Sequence, residues 1–494
     1  MATVKIDTFG GISPRIHPTL LPDGMAIKAH NCSLETGKLR PIRQPKKVTN
    51  VVTYLENGLG NPSEAKSMHV WRHGKGSGFD FILFPGMTWA ASGNVADDDL
   101  TRLVVSGDTG AKFTDKGGKV WDNTPLVYMR SGEAKVKKAI PIAKIPLDAP
   151  VVTRTKNQGE LADNRRYTRF FVSWVDKHDM ESPISAPSLT RTTVIEKDES
   201  GAETEIVKEL DDDLEYNDGD NISIEVKGWS EIKDEAKAVR IYKVITGSEE
   251  GRIQFIREVV ASLLEGDPVI SVRVKDENAG EIMPEIEAPP ADLRCICDVP
   301  GGFYCGTSPS KPKTVFFSDV DLLYSWPTAY RYDVKDNIVA LAVTSNTVFA
   351  LTDGRPYVLT GTLPEAMTVA KIAESAACIS PRGVCVHQNS VYFASNAGVM
   401  MIGNSANEGT VCVNITEGAY TKEQWQEFNP SSCVMGKDRG ALLLFFTLLD
   451  GKHKSIRIGL SEDSKVAIST HDEAAACLAM DEATGKVYYV REGA

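Results

Sequence analysis

The chain has 494 residues, 42% hydrophobic and 25% charged, a globular composition that at about 100–200 residues per domain gives two to four domains. Its 55 Lys and Arg against 67 Asp and Glu leave a net charge of −12, which excludes a broad basic face for gripping nucleic-acid phosphates but suits a wall past which DNA slides without sticking. Met1 to Ile6 form no basic start before an apolar stretch and no run of about 18 apolar residues follows, so neither a secretion signal nor a membrane span is expected, and the nine scattered cysteines read as reduced thiols of cytosolic synthesis.

Residues 1–50 hold Pro14, Pro18 and Pro22 with Gly10, Gly11, Gly24 and Gly37 and no sustained periodicity, which predicts an extended arm. Within it, Asp23 is placed to cap a short helix reaching Asn31. Met68–Trp71 and Phe79–Phe84 then read as a hairpin across the Gly-rich turn 74–78, and Leu103–Gly107 and Ala111–Thr114 continue the short-strand pattern.

The proline-spaced stretch Ile145–Pro150 predicts a linker, with a boundary near residue 148. Beyond it, Tyr167–Val175 reads as one alternating strand and Glu181–Ser188 as a proline-broken edge strand. With Ile222–Val226, Ala238–Val244, Phe255–Val259 and Ile270–Val274 these make six segments that suit a seven-strand sandwich of the immunoglobulin or fibronectin kind. Inside it, the acidic segment 195–220 reads as a solvated hairpin extension or mobile loop, and Met283–Pro290 is a second proline linker.

After residue 290 the short strands return in Val315–Ser318, Ile338–Val343, Thr347–Thr352 and Pro356–Gly361. Val391–Ser395 with Gly398–Gly403, Ala441–Phe446 with Ser455–Ile458, and finally Lys486–Val490 extend the series. Strands of five or six residues joined by Asn, Asp and Gly turns suit a propeller-type body, which the last strand would close. The expected fold is therefore all-β: an arm over 1–50, a propeller-like body over 51–147 and 291–494, and a β-sandwich inserted over 148–290.

Chemistry-bearing patterns are sparse. The eight histidines form neither HExxH nor a zinc-spaced cluster with cysteine, and no GxGxxG, P-loop or GxSxG element is present. Cys295, Cys297 and Cys305 read as buried thiols under a sheet rather than metal ligands, because residues two apart share one strand face. Asp211–Asp220 reads as a solvated acidic loop, lacking the ordered spacing of a calcium loop. Trp326 with Tyr324, Tyr330 and Tyr332 is an aromatic cluster read either as a core plug or as a subunit contact. The Asn-x-Ser/Thr matches at Asn31, Asn221 and Asn414 read as chance. No catalytic, cofactor-binding or metal residue is assigned.

Several ordered motifs together resemble the nozzle proteins of short-tailed bacteriophages, also called tail tubular protein B. They are Gly10-Gly11-Ile12-Ser13-Pro14-Arg15 with Leu20-Leu21-Pro22 and Ala29-His30-Asn31, then Ser182-Pro183 to Pro187-Ser188, Arg240-Ile241-Tyr242-Lys243, Tyr324-Ser325-Trp326-Pro327, and Leu351 to Gly361. The resemblance implies a non-enzymatic structural subunit of the virion tail, synthesised in the host cytoplasm. Its expected partners are further copies of itself in a ring, hexameric in that family, the tail adaptor ring and tail fibre proteins, and genomic DNA passing through the channel without sequence-specific binding. A tail-associated carbohydrate-degrading enzyme and a fibre-docking or receptor-binding module are the other classes compatible with the sequence.

Overall fold

The computed structural model describes residues 9–34, 38–42, 44–49, 51–72, 78–92, 100–114, 120–131, 134–139, 148–155, 159–163, 165–197, 203–245, 252–266, 268–275, 280–283, 286–405, 409–460 and 466–491. Among them the fold is all-β, with one short α-helix, Lys422–Gln426, closed by a capping box between Thr421 and Gln424. The Gly-rich turn 74–78 lies outside the described residues except for its last position, as do residues 145–147 of the linker 145–150.

Three antiparallel four-stranded meanders follow one another. They run over Arg294–Val299, Phe303–Ser308, Lys311–Phe317 and Arg331–Asp333; over Ile338–Thr344, Thr347–Thr352, Tyr357–Thr360 and Thr368–Lys371; and over Val384–His387, Ser390–Ser395, Gly398–Ser405 and Gly409–Asn414. The short strands expected from Val315–Ser318 to Gly398–Gly403 lie in these three sheets. The second strand of each is buried, Phe303–Ser308 throughout and Thr347–Thr352 and Ser390–Ser395 beyond their first residue, because each sheet is covered on both faces. Alternation then sends neighbours into different cores: Tyr304 and Phe316 pack with Ile296 and Trp326, while Phe303, Cys305 and Phe317 pack with Leu341 and Leu359.

A fourth meander precedes the insert, ordered Ala134–Ala139, Leu126–Ser131, Leu103–Gly107, Thr88–Ser92. Ser67–Arg72 and Phe79–Phe84 pair antiparallel as expected, with Thr53–Leu55 parallel beyond them. Val434–Asp438, Ala441–Thr447, His453–Leu460 and Val466–His471 form a sheet whose outer edge is completed by the arm, and Ala475–Asp481 pairs with Lys486–Arg491. The first strands lie side by side in order: Ser67–Arg72, Thr88–Ser92, Arg294–Val299, Ile338–Thr344, Val384–His387, Val434–Asp438, Ala475–Asp481, and then Ser67–Arg72 again. The chain's last hairpin therefore returns to its early strands.

Among the described residues the strands between residues 150 and 275 pair with one another, apart from a single bridge from Gln254 to Ile282. A five-stranded sheet, Glu203–Leu210, Leu189–Lys197, Val151–Arg154, Asn221–Glu225 and Val269–Arg273, faces a three-stranded one, Phe170–Asp176, Ala236–Ile245 and Arg252–Val260. Between them Trp174, Trp229, Ile222, Ile224, Val239 and Ile241 fill a separate core.

Three local expectations are corrected. No helix forms over 23–31: Gly24 adopts φ +86°, and Met25–Ala26 is a strand parallel to Gly11–Ile12. Tyr167–Val175 is divided at Arg169 into Arg166–Thr168 and Phe170–Asp176, which enter different sheets. Residues 182–188 are not a strand either. Ser182, Ser185 and Ser188 each give a backbone N–H to a carbonyl of Trp174, Val172 and Phe170 and accept the N–H of that same residue on their Oγ. Hydroxyls thus supply acceptors at a spacing of three that a proline-bearing strand with a spacing of two cannot.

Candidate functional site

The residues singled out in the sequence occupy three separate places. Cys297 faces Cys305 across the first two strands of the 294–333 sheet, and Cys295, at φ 52°, sits beside a register shift in the same strand. All three side chains enter the core shared with the next sheet, while Ile296 points the other way. Their sulfurs meet carbonyls: Cys295 Sγ lies 3.8 Å from Val339 O and Cys297 Sγ 3.7 Å from Leu341 O. Burial pushes the Cys295 and Cys305 thiols well above the usual thiol range, so both are poor nucleophiles. Among the described residues no group of three His, Cys, Asp or Glu side chains is arranged to hold a metal ion.

The acidic segment is laced to arginines. Leu189–Lys197 and Glu203–Leu210 form a long hairpin, and the carboxylates after it are met by the body of the insert. Arg154 Nε reaches Asp220 Oδ2 at 2.6 Å, Arg165 Nε reaches Glu215 at 3.0 Å, and Arg169 forks between Asp211 and Asp213. Burial alone would raise the Asp220 carboxyl, but Arg154 and the Asn217 amide hold it below the ordinary carboxylate range. The acids that a cation would need are thus directed at guanidinium groups.

The aromatic cluster is split between two cores. Tyr324 and Trp326 are buried with Met180 and Ile286 of the insert and with Val104, Val127 and Met129 of the body. Tyr330 and Tyr332 pack against the next core, where the Tyr332 hydroxyl donates to Pro364 O at 2.9 Å. Trp326 is therefore no exposed subunit anchor but the pin between insert and body. Its backbone N–H donates to Glu287 O at 2.7 Å, and its indole N–H donates to Leu323 O. Beside it, the buried Glu181 accepts from Ser173 Oγ, Arg240 Nη1 and the Tyr242 hydroxyl, and Arg240 also binds Glu258.

Two further groupings are pairings that the sequence does not disclose, although one of them contains the motif Ala29-His30-Asn31. Arg72 and Asp481 join the two chain regions that meet in the last sheet contact. The arm is seated on strand Val466–His471 by backbone bonds from Asn31 N to Thr470 O and from Thr470 N to Ala29 O, both 2.9 Å. Around these, His30 Nδ1 lies 3.0 Å from Thr470 Oγ1 and its Nε2 lies 2.9 Å from Asp472 Oδ1. Asn31 Nδ2 donates to the other Asp472 oxygen at 2.8 Å, and Asn31 and His30 together hold that carboxyl below its ordinary range. The hydroxyl, imidazole and carboxylate stand in series, but the Thr470 hydroxyl also lies 3.4 Å from Ala29 O, so the array ties the arm to the strand. Neighbouring His471 is kept neutral, its imidazole lowered to about 4 by burial with Arg457 and His30 adding to it.

No protein-family model and no curated protein matches the chain. Among solved structures it is similar to apo AztD from Citrobacter koseri at 11% identity, over 67% of this chain and 77% of that one, with a TM-score of 0.27. A second Citrobacter koseri AztD structure gives 11% identity over 65% and 75% of the two chains, with a TM-score of 0.27. A puromycin-hydrolyzing peptidase from Mycobacterium tuberculosis gives 9% identity and a TM-score of 0.24 over 82% of this chain, which spans about half (53%) of that protein. Likenesses this distant carry no argument about function.

Proposed function

We propose that this chain is a structural subunit of a short bacteriophage tail, forming a nozzle-type ring that extends the DNA channel and helps to retain and then release the genome. In this reading the successive sheets are blades of a propeller-like body, residues 148–290 are an inserted sandwich domain, and residues 1–50 are the arm. Function is carried by surfaces, without a catalytic site. The partners are copies of the same chain in a ring, six by analogy with the resembled family, together with the tail adaptor ring, tail fibres and DNA in transit.

The observation that supports it most is the order of first strands, which runs through the sheets and returns from Ala475–Asp481 to Ser67–Arg72 while leaving residues 150–275 to a core of their own. An interrupted, end-closed β body with a separately packed insert is the organisation that the resembled family implies. The net charge of −12 suits a wall that DNA passes without binding.

The test is particle mass and a projection image of the full chain, alone and mixed with other tail proteins. Rotational symmetry about a central hole is expected. A monodisperse monomer at high concentration under both conditions would sink the proposal.

A further inference from the structure

Charge is unevenly divided along this chain. Residues 1–50 contain eight Lys and Arg against three Asp and Glu, a net of +5, so residues 51–494 carry −17 of the total −12. The arm is also where large apolar side chains stand in water: Leu20 is 74% exposed, Ile27 71% and Leu39 56%. An open groove of about 460 Å³ runs between the arm's short strands, lined by Phe9, Ala26, Leu34 and Pro41 with Lys28 and Arg40. Lys38, Lys46 and Lys47 are exposed nearby. Backbone bonds fasten the arm to its own body through Gly11 and Ala29–Asn31, so this apolar and basic side is what the arm turns outward.

We propose that this outward side of the arm, centred on Leu20, Ile27, Leu39, Lys28 and Arg40, docks on a second copy of the chain outside its arm, where residues 148–290 carry most of the negative charge. The inference rests on the ring reading above for its partner and adds to it the contact and its polarity. Removal of such exposed apolar side chains from water is favourable by about 25 cal/mol per Å², and Leu39 lines the groove together with Lys28 and Arg40. Phosphates would call for the cations but not for leucine and isoleucine between them, which favours a protein partner over DNA. Arm against arm would bring +5 against +5, whereas arm against residues 51–494 brings +5 against −17, of which −14 falls in residues 148–290 and −3 in the remainder. The contact is therefore head-to-tail, joining two different surfaces, and such contacts close into rings or run on as filaments instead of stopping at a two-fold dimer.

The test places a benzophenone photo-crosslinker at Leu39 of the full chain, an exposed position whose replacement leaves every core intact, and maps the products. At low ionic strength, crosslinks from the arm into residues 51–494 of a second, isotopically distinguished copy are expected. Their yield should fall about fivefold in about 0.5 M salt, where charges beyond a few ångströms are screened, and about tenfold when Lys28→Glu and Arg40→Glu are introduced together, near 1.4 kcal/mol. Crosslinks only within one chain, only between arms, or with a yield indifferent to both changes overturn the inference. So does preferential crosslinking to added duplex DNA. Crosslinks from the arm into residues 51–494 of another copy, in particles that image as open chains, would keep this inference and overturn the ring; a ring whose arms crosslink only within their own chains does the reverse.

Discussion

Arg72 and Asp481 stand 409 residues apart in sequence and form a bidentate pair, Nε to Oδ1 at 2.7 Å and Nη2 to Oδ2 at 2.6 Å, that joins the last hairpin to the early strand Ser67–Arg72. The Asp481 side chain is 1% exposed, and Thr484 Oγ1 donates to it as well. Such a pair contributes less by its mutual attraction than by the cost of leaving either charge buried alone, about 3–5 kcal/mol. Arg72→Met should lose about that much in denaturant unfolding, whereas Arg72→Met combined with Asp481→Leu should recover most of it. Burial by itself would raise the Asp481 carboxyl, but Arg72 and Thr484 hold it below the ordinary carboxylate range. Its contribution is then present above the unfolded value near about 4 and lost as pH falls through the lower folded value. Asp481→Asn should flatten that acid limb, and an unchanged limb would count against the pair.

Gly11 decides whether the arm can reach its seat. It holds φ +89°, and a Cβ there would come within 2.4 Å of the backbone N and O of Ile468. Gly11→Ala should therefore release the arm locally, raising proteolytic cleavage between residues 9 and 34 about tenfold, the equivalent of roughly 1.4 kcal/mol of local opening, while the main unfolding transition stays in place. Equal cleavage of both proteins would show that the strand Gly11–Ile12 is not what fixes the arm.

Trp326 is the place to separate insert from body. It is 1% exposed, and the core around it draws Met180 and Ile286 from one side and Val127 and Met129 from the other. Trp326→Ala should cost about 3–5 kcal/mol, concentrated at this contact because the insert keeps its own core around Trp174 and Trp229. Calorimetry is expected to resolve two transitions where the wild type shows stronger coupling. A single transition lowered as a whole would mean that insert and body unfold as one unit.

These three positions differ in how far the sequence discloses them. The strands at Val315–Phe317 and Thr347–Thr352 are legible as apolar runs bounded by turns, whereas Phe303–Ser308, with its Cys305, Gly306, Thr307 and Ser308, is not legible as a strand. Cys295 and Cys297 on one strand face follow from the two-residue period even through the local register shift. The serines at 182, 185 and 188 mislead, since their side chains do the work of backbone acceptors that a strand reading assumes. The pairings of Arg72 with Asp481 and of His30 with Asp472 are not legible, although Arg72 follows the strand Met68–Trp71 and His30 lies in the motif Ala29-His30-Asn31: each joins residues brought together only by the return of the chain. Trp326 is intermediate, conspicuous as an aromatic beside a proline but undecided between core and contact until Met180 and Ile286 are seen to cover it.

Asp298 gives a prediction of opposite sign to Asp481. It lies in the first strand of its sheet, where burial, with the carboxylate of Glu482 adding to it, pushes its carboxyl up to about 6. The unfolded chain gives up this proton near pH 4, so between about 4 and 6 the folded state holds more protons and stability falls as pH rises; above about 6 the full penalty applies. The gap would be worth just under about 3 kcal/mol for a fully enclosed group, and partial exposure of Asp298 brings the expected gain for Asp298→Asn to about 1 kcal/mol at pH 7.5. At pH 4, where the native carboxyl is itself protonated, the variant and the wild type should unfold at the same urea concentration. A gain of equal size at both pH values would trace the effect to side-chain packing rather than to the charge set against Glu482.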